Sequence, residues 1–258
     1  MTDRKMQFFE NDGLKLAYVD EGEGEPVLLI HGFASSSFYN WVQPGWIPAL
    51  TAAGYRTIAI DNRGHGESDK PHDKSVYTPT RMAGDAAALL DHLEIKSAHV
   101  MGYSMGARIS AFLALEHPDR VHDLVFGGLG MGMVEGAGDW SPIAEALMAD
   151  DPEAITHPRG KMFRMFADKT RSDKIALAAC VITSKEEISA ENMARIKQPT
   201  LVAVGTKDDI GGSAQRLAAL MPHGEAIDIP NRDHMLAVGD KVFKQAVLEF
   251  YQRNPITR

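Results

Sequence analysis

Short apolar runs alternate with longer stretches in which apolar residues recur at helical spacing, and this alternation organises most of the chain. Val27-Leu28-Leu29-Ile30 is apolar at every position, as expected of a strand buried on both faces. Arg56 to Ile60, Ala98 to Met101, Leu124 to Phe126, Leu201 to Val204 and Ala226 to Ile229 repeat that pattern. Met6 to Glu10 and Leu14 to Val19 flank the turn Asn11-Asp12-Gly13, which is short enough for a hairpin, so those two strands should be antiparallel. Between the runs, Met82, Ala86, Leu89, Leu90 and Leu93 share one helical face. Met105 to Glu116 is a helix of small and apolar residues that stops before Pro118, and Gln215 to Met221 and Val242 to Tyr251 complete the series. The pattern predicts an α/β fold: a mostly parallel eight-stranded sheet with helices on both faces.

One stretch breaks the rhythm. From Gly130 to Lys197, helical patterns such as Pro142 to Met148 and Lys174 to Ile182 follow one another without a convincing strand, after the glycine-rich Gly127-Gly128-Leu129-Gly130-Met131-Gly132. The expected organisation is a core domain of residues 1–129 and 198–258, with residues 130–197 as a helical insertion above the sheet.

Composition narrows the function. Of 258 residues, 44% are hydrophobic and 24% charged, ordinary for a globular domain. A net charge of −8 without a basic run argues against nucleic acid as the partner. The single cysteine, Cys180, permits no intrachain disulfide and has no zinc-site spacing around it; a small buried apolar role is expected. Neither a dinucleotide fingerprint nor a P-loop lysine motif is present, so no cofactor and no metal is expected. The opening MTDRKMQFFEND has no apolar stretch of signal-peptide length, which makes the cytoplasm the default location.

The chemistry gathers at the predicted strand ends. Gly102-Tyr103-Ser104-Met105-Gly106 matches G-x-S-x-G, in which a tight strand-to-helix turn pushes the serine hydroxyl out of the sheet and small flanking residues let that backbone pack. A serine merely capping a helix is the plain alternative; the leading strand and the following helix favour the nucleophile. A nucleophilic serine needs a base. Among ten histidines, His234 follows the last predicted strand and the serine. His65, His72 and His117 stand in loop or helix-end contexts with no matching acid. The orienting acid should follow a strand between Ser104 and His234, where Gly205-Thr206-Lys207-Asp208-Asp209 offers two aspartates. Two backbone N–H groups should bind the oxyanion: Met105, next to the serine, and Phe33 in His31-Gly32-Phe33-Ala34.

Together with Asp61-Asn62-Arg63-Gly64-His65-Gly66-Glu67-Ser68-Asp69, these motifs make the chain resemble the α/β-hydrolase superfamily over nearly its whole length, and within it the small bacterial esterases, enol-lactone hydrolases and cofactor-free perhydrolases. The resemblance implies that Ser104, Asp208 and His234 form a catalytic triad, with Asp208 favoured because it stands three residues after Gly205. It implies that residues 130–197 are a small helical cap, and that Arg63 and His65 brace a loop rather than react. The methionines Met131, Met133, Met162 and Met165 then belong to cap packing or to an adaptable pocket. The chain departs from dehalogenases and epoxide hydrolases, which carry an aspartate where Ser104 stands. The implied activity is hydrolysis of a small-molecule carboxylic ester or lactone through an acyl-enzyme. Carbon–carbon bond hydrolysis or perhydrolysis on the same residues are close rivals, and a non-catalytic receptor of this fold is a more distant one.

Overall fold

The computed structural model describes residues 5–256. Eight strands form one sheet: β1 (Gln7–Asn11), β2 (Leu14–Glu21), β3 (Glu25–Ile30), β4 (Tyr55–Ile60), β5 (Ala98–Tyr103), β6 (Val121–Gly127), β7 (Thr200–Gly205) and β8 (Gly224–Ile229). Their spatial order is β1-β2-β4-β3-β5-β6-β7-β8. The β1–β2 hairpin and the β2–β4 pairing are antiparallel, and the remaining six strands run parallel. The sheet is therefore the one the apolar runs predict, with β5 extended through Gly102 and Tyr103.

Side chains on successive strand positions point to opposite faces, and the core divides accordingly. Leu28, Ile30, Ile58, Ile60, Val100, Leu124, Phe126, Val202 and Val204 pack on one face. Val27, Leu29, Ala59, Met101, Val125, Leu201 and Ala203 pack on the other. The first face is covered by α2 (Pro79–His92), α3 (Met105–Glu116) and α9 (Ala214–Ala218), the second by α1 (Trp46–Ala52) and α10 (Lys241–Arg253). Residues between β6 and β7 form α4 (Gly132–Glu135), α5 (Ser141–Met148), α6 (Pro158–Thr170), α7 (Lys174–Thr183) and α8 (Ala190–Met193), and no strand lies among them in the described residues.

Local chemistry fixes the helix starts. Thr78 caps α2 by accepting from the Arg81 N–H at 3.3 Å, with Pro79 at the first helical position. Asp173 caps α7 through the Ala176 N–H at 3.0 Å, and Asp240 caps α10 through Val242 at 2.7 Å. The helix expected over Gln215 to Met221 is shorter, and α1 and α6 lie where the sequence reading singled out none. His72 also departs from expectation: its Nε2 lies 3.0 Å from an Asp173 carboxylate oxygen, a partner 101 residues away. No helix among the described residues is long and apolar enough to cross a membrane, and none of their His, Cys, Asp and Glu side chains cluster in threes that could hold a metal.

A buried ion pair ties the β4 loop to α2. The Arg63 guanidinium grips Asp85 with two parallel bonds of 2.7 Å, and both side chains are 1% exposed. A third bond runs from Arg63 to the Val76 carbonyl at 2.9 Å. Removing the cation alone strands a buried carboxylate, so Arg63→Met is expected to lower unfolding free energy by about 3–5 kcal/mol, and Asp85→Leu added to it should recover part of the loss. Urea denaturation reads both; a loss below about 1 kcal/mol in the single variant would contradict a structural role for the pair.

Candidate active site

Parallel pairing brings the carboxyl ends of β3, β5, β6, β7 and β8 to one edge of the sheet, since Ile30 stands opposite Gly102, Tyr103 opposite Gly127, and Gly205 opposite Ile229. Ligand sites of open α/β sheets form at that edge. Every site residue expected from sequence lies in a segment that leaves it: Phe33 after β3, Ser104 and Met105 after β5, Asp208 after β7 and His234 after β8.

Ser104 occupies a backbone conformation that side chains rarely adopt, φ 54° and ψ −112°. Its neighbours make the sharp turn possible. A Cβ on Gly106 would stand 1.9 Å from the Ile30 carbonyl oxygen, and one on Gly102 would stand 2.2 Å from the Gly106 oxygen. Only glycine lets α3 start this close to β3. The Ser104 N–H is held by the Gly127 carbonyl at 2.8 Å, and the Ser104 carbonyl accepts from Ala107 and Arg108.

Three side chains meet above the turn. Ser104 Oγ lies 2.9 Å from His234 Nε2, and His234 Nδ1 lies 2.7 Å from Asp208 Oδ2. The Asp208 side chain is fully buried, and its other oxygen accepts from the Ile210 and Gly211 N–H groups at 2.8 and 2.9 Å. Asp209 points elsewhere, forming an ion pair with Arg159 at 2.8 Å, with its side chain 75% exposed. Behind His234, the Tyr103 hydroxyl donates to the His234 carbonyl at 2.6 Å and so fixes the loop that carries the imidazole.

The segment after β3 is held as tightly. The Gly32 N–H donates to Asn40 Oδ1 at 2.7 Å, and the His31 ring, with its Nδ1 2.8 Å from the Gly32 carbonyl, fixes the other end of that residue. The opposite ring nitrogen of His31 accepts from the Asn62 N–H at 2.9 Å, which fixes the tautomer. Asn40 sits in a single wide-turn helix, Phe38–Val42. Gly32 itself abuts Ser104: a Cβ there would lie 3.4 Å from that of Ser104. Among the described residues, neither the Phe33 nor the Met105 N–H donates to any protein acceptor.

A cavity of about 410 Å³ opens over Ser104 and His234, walled by Phe33, Trp140, Phe163 and Leu236. Of the four methionines in or near the insertion, Met162 lines it, Met131 and Met133 are buried, and Met165 is 62% exposed. Tyr103, Asn40 and His31 are contributors that sequence motifs do not mark as partners, because their contacts depend on chain segments brought together by folding.

Residues 25–161, over half of the chain, match the family model of the alpha/beta hydrolase fold. The chain belongs to that family. It is 43% identical over 116 residues to an epoxide hydrolase of Caballeronia sordidicola, a match that covers 45% of this chain and 34% of that protein, so it spans only about a third of the relative's length. Over 246 residues it is 29% identical to BpoC of Mycobacterium tuberculosis H37Rv, which bears the name of a non-heme bromoperoxidase; the match covers 86% of this chain and 91% of BpoC. The structure superposes on that of a hydrolase from Pseudomonas aeruginosa PA01 with a TM-score of 0.79 and 27% identity, covering 95% and 97% of the two chains. These likenesses accord with membership of the alpha/beta hydrolase family.

The strained turn and the buried histidines each carry a prediction. Glycine tolerates positive φ and alanine does not, so Ser104→Gly should be more stable than Ser104→Ala by about 1–2 kcal/mol in urea denaturation. Equal stabilities would mean that the turn stores no strain. Burial lowers the pKa of His31 from 6.5 to about 4 and, aided by the nearby His31, that of His65 to about 3. Both rings stay neutral when folded while unfolded histidine binds a proton below about 6.5, so acidification favours unfolding. Stability should therefore fall as pH drops from about 6.5 toward 4, and His65→Gln should flatten that slope. An identical slope in the variant would remove His65 from the account.

Proposed function

We propose that the chain is a serine hydrolase that cleaves carboxylic esters or lactones through an acyl-enzyme. The observation that carries this reading is the continuous chain of short contacts from Ser104 Oγ through the His234 ring to a buried Asp208 carboxylate, 2.9 and 2.7 Å long. Asp208 accepts the Nδ1–H of His234, which leaves Nε2 free to take the serine proton and compensates the imidazolium that forms. Ser104 Oγ then attacks the substrate carbonyl, and the oxyanion takes hydrogen bonds from the undonated Phe33 and Met105 N–H groups. His234 passes its proton to the departing alcohol; a water, deprotonated by the same ring, releases the acid and restores Ser104. Helices α4 to α8 serve in this reading as a cap that closes the cavity above the serine. A serine at the turn, rather than an aspartate, supports acyl transfer over epoxide opening.

The likeness to BpoC favours one variation. With hydrogen peroxide in place of water as the acceptor, the same acyl-enzyme would yield a peracid. Product analysis with and without peroxide separates the two.

Ser104→Ala is expected to keep the fold and lose at least about a thousandfold in ester turnover, and a fluorophosphonate should label Ser104 in the native chain. Labelling at another residue, or near-native turnover without the hydroxyl, would end the proposal. Asp208→Asn should lose about ten-thousandfold in kcat at near-native melting temperature, a magnitude taken from the serine-protease triad. Asp209→Asn should retain most activity, because Asp209 bonds Arg159 and not the imidazole. The reverse outcome would move the acid by one residue.

A further inference from the structure

A second cavity adjoins the one over Ser104. It too measures about 410 Å³, and Ser35 and Tyr39 line both. The two cavities lie along the same pair of elements. Met162, Phe166 and Thr170 recur every fourth residue on α6 and so share one face of that helix. Met162 and Phe166 line the first cavity; Thr170, with Ser172 beyond the helix end, lines the second. The segment after β3 divides in the same way, with Phe33 and Asn40 on the first cavity and Ser36 and Ser37 on the second. Tyr39, common to both linings, meets Phe166 edge to face with ring centroids 5.6 Å apart.

Tyr39 is held by rings and by little else. Its side chain is half-buried against Phe38 and Phe166, and its hydroxyl makes no hydrogen bond to any described residue. The backbone on either side is fixed. The Ser37 N–H donates to Asp61 at 2.7 Å, and the Asn40 side chain accepts from the Gly32 N–H at 2.7 Å. A ring without a polar anchor can change rotamer while the chain around it stays in place.

The charged groups of the second cavity are already engaged or offset. The Asp61 carboxylate accepts from two backbone N–H groups, and Lys70 donates to the Gly66 and Ser68 carbonyls. Glu67 and Arg171 are exposed and carry opposite charges. Hydroxyls remain. Ser37 is 1% exposed, yet its Oγ, like that of Ser35, has no hydrogen-bond partner among the described residues. A buried hydroxyl left without a partner is costly, and it suits a neutral group that both donates and accepts.

We infer that Tyr39 is the partition between the catalytic cavity and a second subsite, and that the ester or lactone cleaved at Ser104 carries a long arm ending in a hydroxyl. This rests on the serine-hydrolase reading above. With the Tyr39 ring across the boundary, only short arms fit. With the ring turned aside, the arm passes along α6 and its terminal hydroxyl bonds Ser35 and Ser37. Tyr39 is in this account a specificity-determining residue.

The test has two arms. p-Nitrophenyl esters from butyrate to laurate lengthen the acyl side, and alkyl acetates from butyl to dodecyl lengthen the alcohol side. Each long member is paired with its terminally hydroxylated analogue. In the native enzyme at least one hydroxylated ester should exceed its parent in kcat/KM by about three- to tenfold, the worth of a hydrogen bond or two. Tyr39→Ala, and Phe166→Ala, which removes the ring that steadies Tyr39, should raise the ratio of long to short parent esters by about tenfold, the worth of two further buried methylenes. Tyr39→Phe keeps the ring and should keep the native ratio. Ser172→Phe added to Tyr39→Ala fills the far cavity and should cancel the gain. A gain that survives Ser172→Phe, no gain in either alanine variant, or no preference for a hydroxylated ester in either series overturns the inference.

The other arm needs no turnover. In Ser104→Ala, calorimetry should show terminally hydroxylated laurate binding about three- to tenfold tighter than laurate itself, and adding Tyr39→Ala should tighten both. Equal affinities for the two acids, or no effect of Tyr39→Ala, overturns the subsite even if esters are hydrolysed. Failure of the native enzyme to cleave any ester, beside affinities that respond to Tyr39, instead defeats the hydrolase reading and leaves the paired cavities standing.

Discussion

The closest constraint in the molecule is the approach of α3 to the end of β3. A single added carbon at Gly106 would sit 1.9 Å from the Ile30 carbonyl oxygen. That contact forces the backbone to reverse within one residue, and Ser104 absorbs the reversal in a conformation with positive φ. Much else follows from it. The hydroxyl is lifted off the sheet edge, the N–H of Met105 is left at the first helical position without a partner, and Gly32 comes against the Ser104 side chain. The conformation is held from outside: Gly127 fixes the serine N–H, and the hydrophobic layers on both faces fix β5 and α3.

Rigidity continues outward through buried polar contacts rather than through apolar packing alone. His31 and Asn40 clamp the two ends of Gly32, Asp61 accepts from the Ser37 and Glu67 N–H groups, and Tyr103 holds the loop of His234. Each is buried and each bonds main-chain groups. A loop can carry chemistry only when its backbone is fixed to about half an ångström, and these side chains supply that fixation where no secondary structure does.

The sheet was legible in the sequence because parallel strands buried on both faces are apolar at every position, a signal that survives without knowledge of the partners. Ser104, His234 and the aspartate pair stand out in the sequence because each lies within a few residues of a predicted strand end. The short helix α1 starts at Gly45 without a side-chain cap, so its beginning carries no local mark. The pairing of His72 with Asp173, the reach of Tyr103 to residue 234, and the meeting of Lys185 with Trp140 all join segments far apart in the chain. Contacts of that kind depend on how distant segments of the chain come together, and periodicity does not report on it.

Arg108 closes a long stretch of chain on itself. Its guanidinium holds the carbonyls of Gly132 and Met133, where α4 begins, and that of Glu186, after α7. The segment between Met133 and Glu186, which holds α5 to α7, therefore closes at a neck drawn together by one side chain of α3. Once a neck is closed, lengthening the segment beyond it costs little, about 0.6 kcal/mol for each doubling of a flexible loop.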